Sequence, residues 1–217
     1  MDEEFWDGMY GDSTRVWSGA PNGTLVAEVD GLPVGRALDV GSGEGADAIW
    51  LARQGWQVTG IDISSVALER AREAAAAAGV SVTWQHGDPV RTPFEEGSFD
   101  LVSLQYFPLP YAAGPAGLHN LLDAVAMGGT LLVVSHDLSH WTPEQHGHGD
   151  QHGHGSDSPE GEQRPGPDPT EYYDVAELAE LLGEGWTIEV HETRERPHAP
   201  QGNPHIDDVV LRARRTG

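Results

Sequence analysis

The stretch that decides the fold is Arg36-Ala-Leu-Asp-Val-Gly-Ser-Gly-Glu-Gly45, followed closely by Ile61-Asp62-Ile63. The apolar run at 37–40 reads as a buried strand. It ends in three glycines at alternate positions, Gly41, Gly43 and Gly45, and a helical pattern begins at once. Glycines there let the backbone turn sharply and let a ligand approach with no Cβ in the way. A second apolar strand ends in an acid, Asp62, placed to hold two ribose hydroxyls. The arrangement implies an adenosine-containing cofactor and leaves open which one.

Outward from this stretch, strands and helices alternate. Residues 21–32 carry Leu25, Val26, Val29 and Leu32 at helical spacing behind Asn22, a good N-cap. Helices are predicted over 44–54 and 64–78, the latter capped by Ser64, rich in alanine and closed by Gly79. Another begins at Pro115, and a last one opens on the capping-box pattern Asp174-Val-Ala-Glu177. Strands are predicted over 36–40, 57–62, 81–86, 99–104, 130–135, 186–192 and 208–214, with Gly128-Gly129 turning into the fifth. Alternation through residue 182 implies an α/β fold with a doubly wound, mostly parallel sheet. The two consecutive late strands make it a seven-stranded sheet whose last strand runs antiparallel.

The chain has 217 residues, enough for one domain spanning 1–217. Residues 1–32 form an N-terminal helical segment, expected to act as a lid. Residues 140–170 interrupt the alternation with His146-Gly-His-Gly-Asp-Gln-His-Gly-His154 and a Pro/Gly/Asp/Glu-rich stretch. This segment lacks the apolar residues for a core and is predicted to be a mobile loop insertion.

With 12 Lys+Arg against 35 Asp+Glu, the formal charge is −23. All the cations are arginine. Such a chain repels phosphate backbones and anionic bilayers, which excludes nucleic acid and membrane surfaces as expected partners. There is no cysteine, hence no disulfide, thiolate nucleophile or Cys-ligated metal. No apolar run reaches the ~20 residues of a membrane span. The acidic start Met1-Asp-Glu-Glu is unlike a signal peptide, so a cytoplasmic location is the expectation.

The glycine spacing alone does not choose the cofactor, because with Ala46 it also satisfies the dinucleotide pattern G-x-G-x-x-G/A. Three features tilt the balance away from a dinucleotide: Asp39 inside the first strand, Gly87-Asp88 at the end of the third, and the terminal strand pair where a dinucleotide fold has a sixth parallel strand. With Leu38-Asp-Val-Gly-Ser-Gly-Glu-Gly45, Val58-Thr-Gly-Ile-Asp-Ile-Ser64, Phe99-Asp-Leu-Val-Ser-Leu-Gln-Tyr106 and Gly128-Gly-Thr130, the chain resembles class I S-adenosylmethionine-dependent methyltransferases over roughly residues 5–215. Arg15-Val-Trp-Ser-Gly-Ala-Pro-Asn22 is similar to the subgroup of tellurite-resistance and thiopurine methyltransferase-like proteins.

The resemblance implies roles. Gly41, Ser42 and Gly43 would pass beside the methionine portion of S-adenosylmethionine, with Asp39 orienting that loop or meeting the amino group through water. Asp62 would take the ribose hydroxyls, Ile63 the adenine face and Asp88 the adenine amino group. Gln105 would cover the cofactor from the end of strand four, and Arg15 or Trp17 would close the site. Asp62 and Asp88 also suit helix caps and turns.

Tyr106, Phe107 and Tyr111 are expected to line an acceptor pocket beyond the strand ends. If the acceptor must lose a proton, His136 is the candidate base, with Asp137 and His140 nearby. Tyr106 and His136 are therefore the candidate catalytic residues. The fourth strand does not end in Asn/Asp-Pro-Pro-Tyr, which argues against methylation of amino groups on adenine or glutamine. Lack of cysteine argues against thiolate-based arsenic chemistry, and a small-molecule acceptor remains. No metal is assigned to the reaction. His146, His148, His152 and His154 offer imidazoles for adventitious Zn2+ or Ni2+. An NAD-dependent oxidoreductase and a non-catalytic metal-binding protein on the same fold are the competing readings.

Overall fold

Leu38 and Val40 are fully buried on one face of the sheet, Ala37 on the other. This two-sided burial makes Arg36–Val40 a central strand, β1. The structure is a computed structural model that describes residues 2–12, 16, 18–137, 168–197 and 207–217. The remaining strands are β2 (Gln57–Asp62), β3 (Thr83–His86), β4 (Phe99–Gln105), β5 (Val125–His136), β6 (Trp186–Glu195) and β7 (Asp207–Arg215). The helices among the described residues are α1 (Glu3–Gly11), α2 (Gly23–Val29), α3 (Ala46–Arg53), α4 (Ser65–Ala78), α5 (Gly114–Asp123) and α6 (Val175–Leu181).

The seven strands lie in the order β3-β2-β1-β4-β5-β7-β6. Strands β1 to β5 pair in parallel, and β7 is antiparallel to both of its neighbours. The predicted sheet, with its antiparallel last strand, is the one observed. β7 is inserted between β5 and β6, so β6 runs in the same direction as β1–β5 and its carboxyl end emerges at the same edge.

Each face has its own core. Leu104, Val133, Leu118, Leu121 and Leu178 pack β4 and β5 against α5 and α6. Leu101, Leu132, Leu25, Val29, Ala48 and Leu51 pack the other face against α2 and α3. Alternate residues of β4 and β5 thus feed opposite cores, as the pleat dictates.

Boundaries differ from the sequence expectations by more than one residue at three strands. β5 begins at Val125, ahead of the two glycines, and Gly128 sits inside it at φ 76° beside a register shift against β4. The glycines form an irregularity within the strand, not the turn before it. β3 starts at Thr83, two residues late. β6 runs on to Glu195, because Thr193, Arg194 and Glu195 pair with β7 despite their polar character. Of the 140–170 segment only its end is described, where Pro169–Glu171 forms a 3-10 turn capped by Asp168. His140, His146, His148, His152 and His154 lie outside the described residues.

Candidate functional site

The site forms at the carboxyl edge of β1, β2 and β4. After Val40 the chain turns on Gly41 (φ 69°) and Gly43 (φ 51°), and Gly45 (φ 84°) starts α3. The amides of Gly41 and Ser42 both donate to the Ile61 carbonyl, at 2.9 and 3.0 Å, which ties the loop to β2. The glycines serve different ends. A Cβ on Gly45 would lie 2.6 Å from the Trp84 ring, so that glycine admits helix–sheet packing. A Cβ on Gly41 would lie 2.6 Å from the Phe107 ring, so that glycine admits the close approach of the ring that follows β4.

Asp62 holds this loop from below. Its Oδ2 accepts from the Gly43 amide at 2.8 Å and its Oδ1 from the Ser64 amide at 2.8 Å. Burial nevertheless raises its pKa, with those two amides opposing the shift. Ile63, half-buried, follows directly, and its carbonyl lies 3.0 Å from His86 Nε2. Asp88 sits beyond β3. Its Oδ1 accepts from the Val90 amide at 3.1 Å, and Arg91 Nε is 3.4 Å from its Oδ2.

Asp39 is 2% exposed, and its Oδ2 meets no hydrogen-bond donor among the described residues. Burial, then the charges of Asp47 and Asp62, push its pKa well above the ordinary value; the Ala48 amide only partly offsets this. Asp47, in the first turn of α3, is raised by burial to about 6 although it accepts from the Asn22 amide at 2.6 Å. Three carboxyls thus converge on the glycine loop with little cationic compensation among the described residues.

On the β4 side, Asn22 Nδ2 donates to Gln105 Oε1 at 2.9 Å, and Gln105 Nε2 donates to Ser103 Oγ at 2.9 Å. Tyr106 follows with φ 53°, a strained conformation for a bulky residue that turns the chain off the strand. Its hydroxyl donates to Asp208 Oδ1 at 2.9 Å, and its ring stacks on His136 with centroids 4.3 Å apart. Burial, then the Asp208 charge, raises the Tyr106 pKa. Asp208, fully buried, accepts a second hydroxyl from Thr24 at 2.7 Å.

The structure therefore gathers Asp39, Gly41, Ser42, Gly43, Asp62 and Ile63 around one loop, and Gln105, Tyr106 and His136 beside it. Asp88 stands at the neighbouring strand tip. Arg15 and Trp17 lie outside the described residues. Asn22, Asp47, Thr24 and Asp208 were not singled out as site residues from sequence. Asn22 was legible as a helix cap, but its reach to Gln105 and to Asp47 depends on the tertiary fold. Among the described residues, no group of three or more His, Cys, Asp or Glu is placed to hold a metal ion.

The residues fit an adenosine cofactor that carries a positive charge. The buried oxygens Asp39 Oδ2 and Ser42 Oγ have no partner among the described residues, and both belong to the glycine loop or the strand feeding it. Fold and site together define an α/β protein that holds such a cofactor at the carboxyl edge of a parallel sheet. A family profile described as "Methyltransferase domain" matches residues 37–129. Over 98% of its length the chain is similar to 91% of a solved structure described as "Conversion of a Disulfide Bond into a Thioacetal Group during Echinomycin Biosynthesis", at 27% identity and TM-score 0.73. It also shares its fold with TehB from Haemophilus influenzae, at 17% identity and TM-score 0.63, over 98% of this chain and 66% of that one.

Among curated proteins, a demethylmenaquinone methyltransferase of Beutenbergia cavernae is 32% identical over 59% of this chain and 50% of its own. An uncharacterized protein of Mycobacterium tuberculosis is 38% identical over 38% of this chain and 31% of its own. The chain thus spans half or less of the length of these curated relatives. Residues 37–129 thus match a methyltransferase domain, and the fold is shared with solved S-adenosylmethionine-dependent methyltransferases. S-adenosylmethionine is the cofactor that the family and the site imply.

Proposed function

We propose that the protein transfers a methyl group from S-adenosylmethionine to a small-molecule acceptor. The observation that carries this reading is the unpartnered Asp39 carboxylate oxygen, buried behind a glycine loop that Asp62 holds in place. The cofactor, when bound, supplies a methyl group on a positively charged sulfur, already a strong electrophile. Asp39 would hold the amino group, Asp62 the ribose hydroxyls, Ile63 and Asp88 the adenine, and Gln105 the open side. Gly41, Ser42 and Gly43 would line the methionine portion.

The protein's remaining work is to aim the acceptor and keep water out, and positioning of this kind can be worth about 7–11 kcal/mol. His136 is the group we assign to remove a proton where the acceptor carries one. Tyr106 stacks on it and is itself anchored on Asp208, so its part is to hold the imidazole ring. The net charge of −23 disfavours polyanionic substrates, and a demethylmenaquinone methyltransferase among the relatives supports a small acceptor. The antiparallel β6–β7 pair speaks against the dinucleotide reading.

Titration calorimetry with S-adenosylhomocysteine tests the proposal. Binding is expected, weakened about tenfold or more in Asp62→Ala, the loss of at least one charge-assisted contact. No binding by the unaltered protein would end the methyltransferase reading.

A further inference from the structure

We propose that Arg196 is an oxyanion seat in the acceptor pocket, so that the methyl acceptor carries a carboxylate or similar oxyanion. The proposal rests on the methyltransferase reading for the word acceptor, though not for the anion seat itself. Arg196 directly follows β6, which runs with β1–β5, and so emerges at the edge that carries Asp62, Gln105 and His136. Its guanidinium carbon stands 4.9 Å from the centre of the Tyr106 ring. That ring is fixed by the Asp208 hydrogen bond and by stacking on His136.

A guanidinium held over an aromatic face spends its charge on the ring but not its N–H donors, which point outward in its own plane. Arg196 is half-buried, and among the described residues no carboxylate lies within ion-pair distance of it. Its neighbours on the strand pair differ. Arg194 and Arg212 meet Glu28, Arg214 meets Glu189, and Arg215 meets Glu96. In a chain with 35 acids to 12 cations, carboxylate partners are abundant, and none among the described residues pairs with Arg196 at the site's rim.

Of the acids close by, Asp208 is committed to two hydroxyls and Glu195 is turned to water. With His136 the only other titratable base described on the ring, this rim would repel a small anion unless a cation receives it. The planar fork of arginine suits a carboxylate, which it can bind through two parallel hydrogen bonds.

The test compares benzoate with benzamide, equal in shape and different in charge, by NMR titration of the protein saturated with S-adenosylhomocysteine. Benzoate is expected to bind more tightly than benzamide. Arg196→Gln should weaken benzoate by about tenfold, Arg196→Lys by less, and the remote Arg53→Gln not at all. Near-UV circular dichroism checks the fold of each variant, and Arg196→Lys keeps the test open if Arg196→Gln unfolds. Equal binding of the two probes, or benzoate affinity unchanged in both Arg196 variants, overturns the anion seat. If S-adenosylhomocysteine fails to bind, the methyltransferase reading falls, and the same titration without it still decides the anion seat.

Discussion

Asp39 is a carboxyl group buried among other carboxyls, and its cost is visible in the direction of its titration. Burial and the charges of Asp47 and Asp62 raise its pKa well above 3.8, and burial brings Asp47 to about 6. The folded protein therefore binds more protons than the unfolded chain between pH 3.8 and about 6. Stability from these two groups is complete below 3.8 and is lost as pH rises through the folded values. For Asp47 this is of the order of 3 kcal/mol. The protein without cofactor should thus melt at a higher temperature at about pH 5 than at about pH 8. Asp47→Asn should flatten that slope, and Asp39→Asn should flatten it while abolishing S-adenosylhomocysteine binding in calorimetry. An undiminished slope in both variants would move the origin of the effect elsewhere. These two acids were not equally legible. Asp39 could be read from sequence because it precedes the glycines within an apolar strand. Asp47 looked like an ordinary first-turn helix acid, and only the fold brings Asn22, 25 residues earlier, onto it. Asp208 was hidden for the same reason: its place beside Tyr106 follows from β7 inserting next to β5.

Helix α1 shows how an element is held at the site without belonging to the sheet. Its Tyr10 is buried with Val16 and Ala67, and its Asp7 accepts from Ser64 Oγ at 2.6 Å, Ser65 Oγ at 3.1 Å and the Val66 amide at 3.3 Å. Arg70 donates to the Tyr10 carbonyl at 2.6 Å and to Glu44 at 2.9 Å, and Glu3 lies 3.0 Å from His86. Asp7 thus adds a second cap to α4, whose own N-cap Ser64 gives its amide to Asp62. A lid role for this segment is our proposal. Asp7→Ala should raise hydrogen exchange in residues 3–11 by about tenfold, as the loss of a cap worth about 1 kcal/mol implies, with the sheet unaffected. Unchanged exchange would mean that Tyr10 packing alone holds the helix. At this scale sequence was a good guide wherever burial is two-sided. β1, β2 and β4 read as apolar runs because both their faces are covered. β6 is an edge strand of mostly exposed residues, and its last three residues are strand only because β7 pairs with them, a relation that periodicity cannot express.

Charge acts on the molecule as a whole in two opposed ways. The net −23 favours expansion through self-repulsion, which salt screens. Ion pairs counter it, but they are of two kinds. Arg36–Asp100 is 47% and 40% exposed, a pair of the surface type that contributes about 0–1 kcal/mol and weakens with salt. Glu28 is different: its side chain is 6% exposed and lies between Arg194 and Arg212, joining α2 to the β6–β7 pair. Removing one member of such a buried group leaves the others uncompensated, at a cost of about 3 kcal/mol. Since acids outnumber cations nearly three to one, repulsion should outweigh the surface pairs. The melting temperature should therefore rise by about 3 °C, the equivalent of about 1 kcal/mol in a domain of this size, between about 0.02 M and about 0.5 M NaCl. Glu28→Gln should lower the melting temperature at both salt concentrations by a similar amount, because a buried pair is screened little. Calorimetric melts of the two proteins at the two salt concentrations check both effects. A melting temperature that falls with salt in the unaltered protein would show that surface pairs, not net charge, dominate its electrostatics. A Glu28→Gln deficit that vanishes at high salt would place that glutamate in effective contact with water, against its burial between the two arginines.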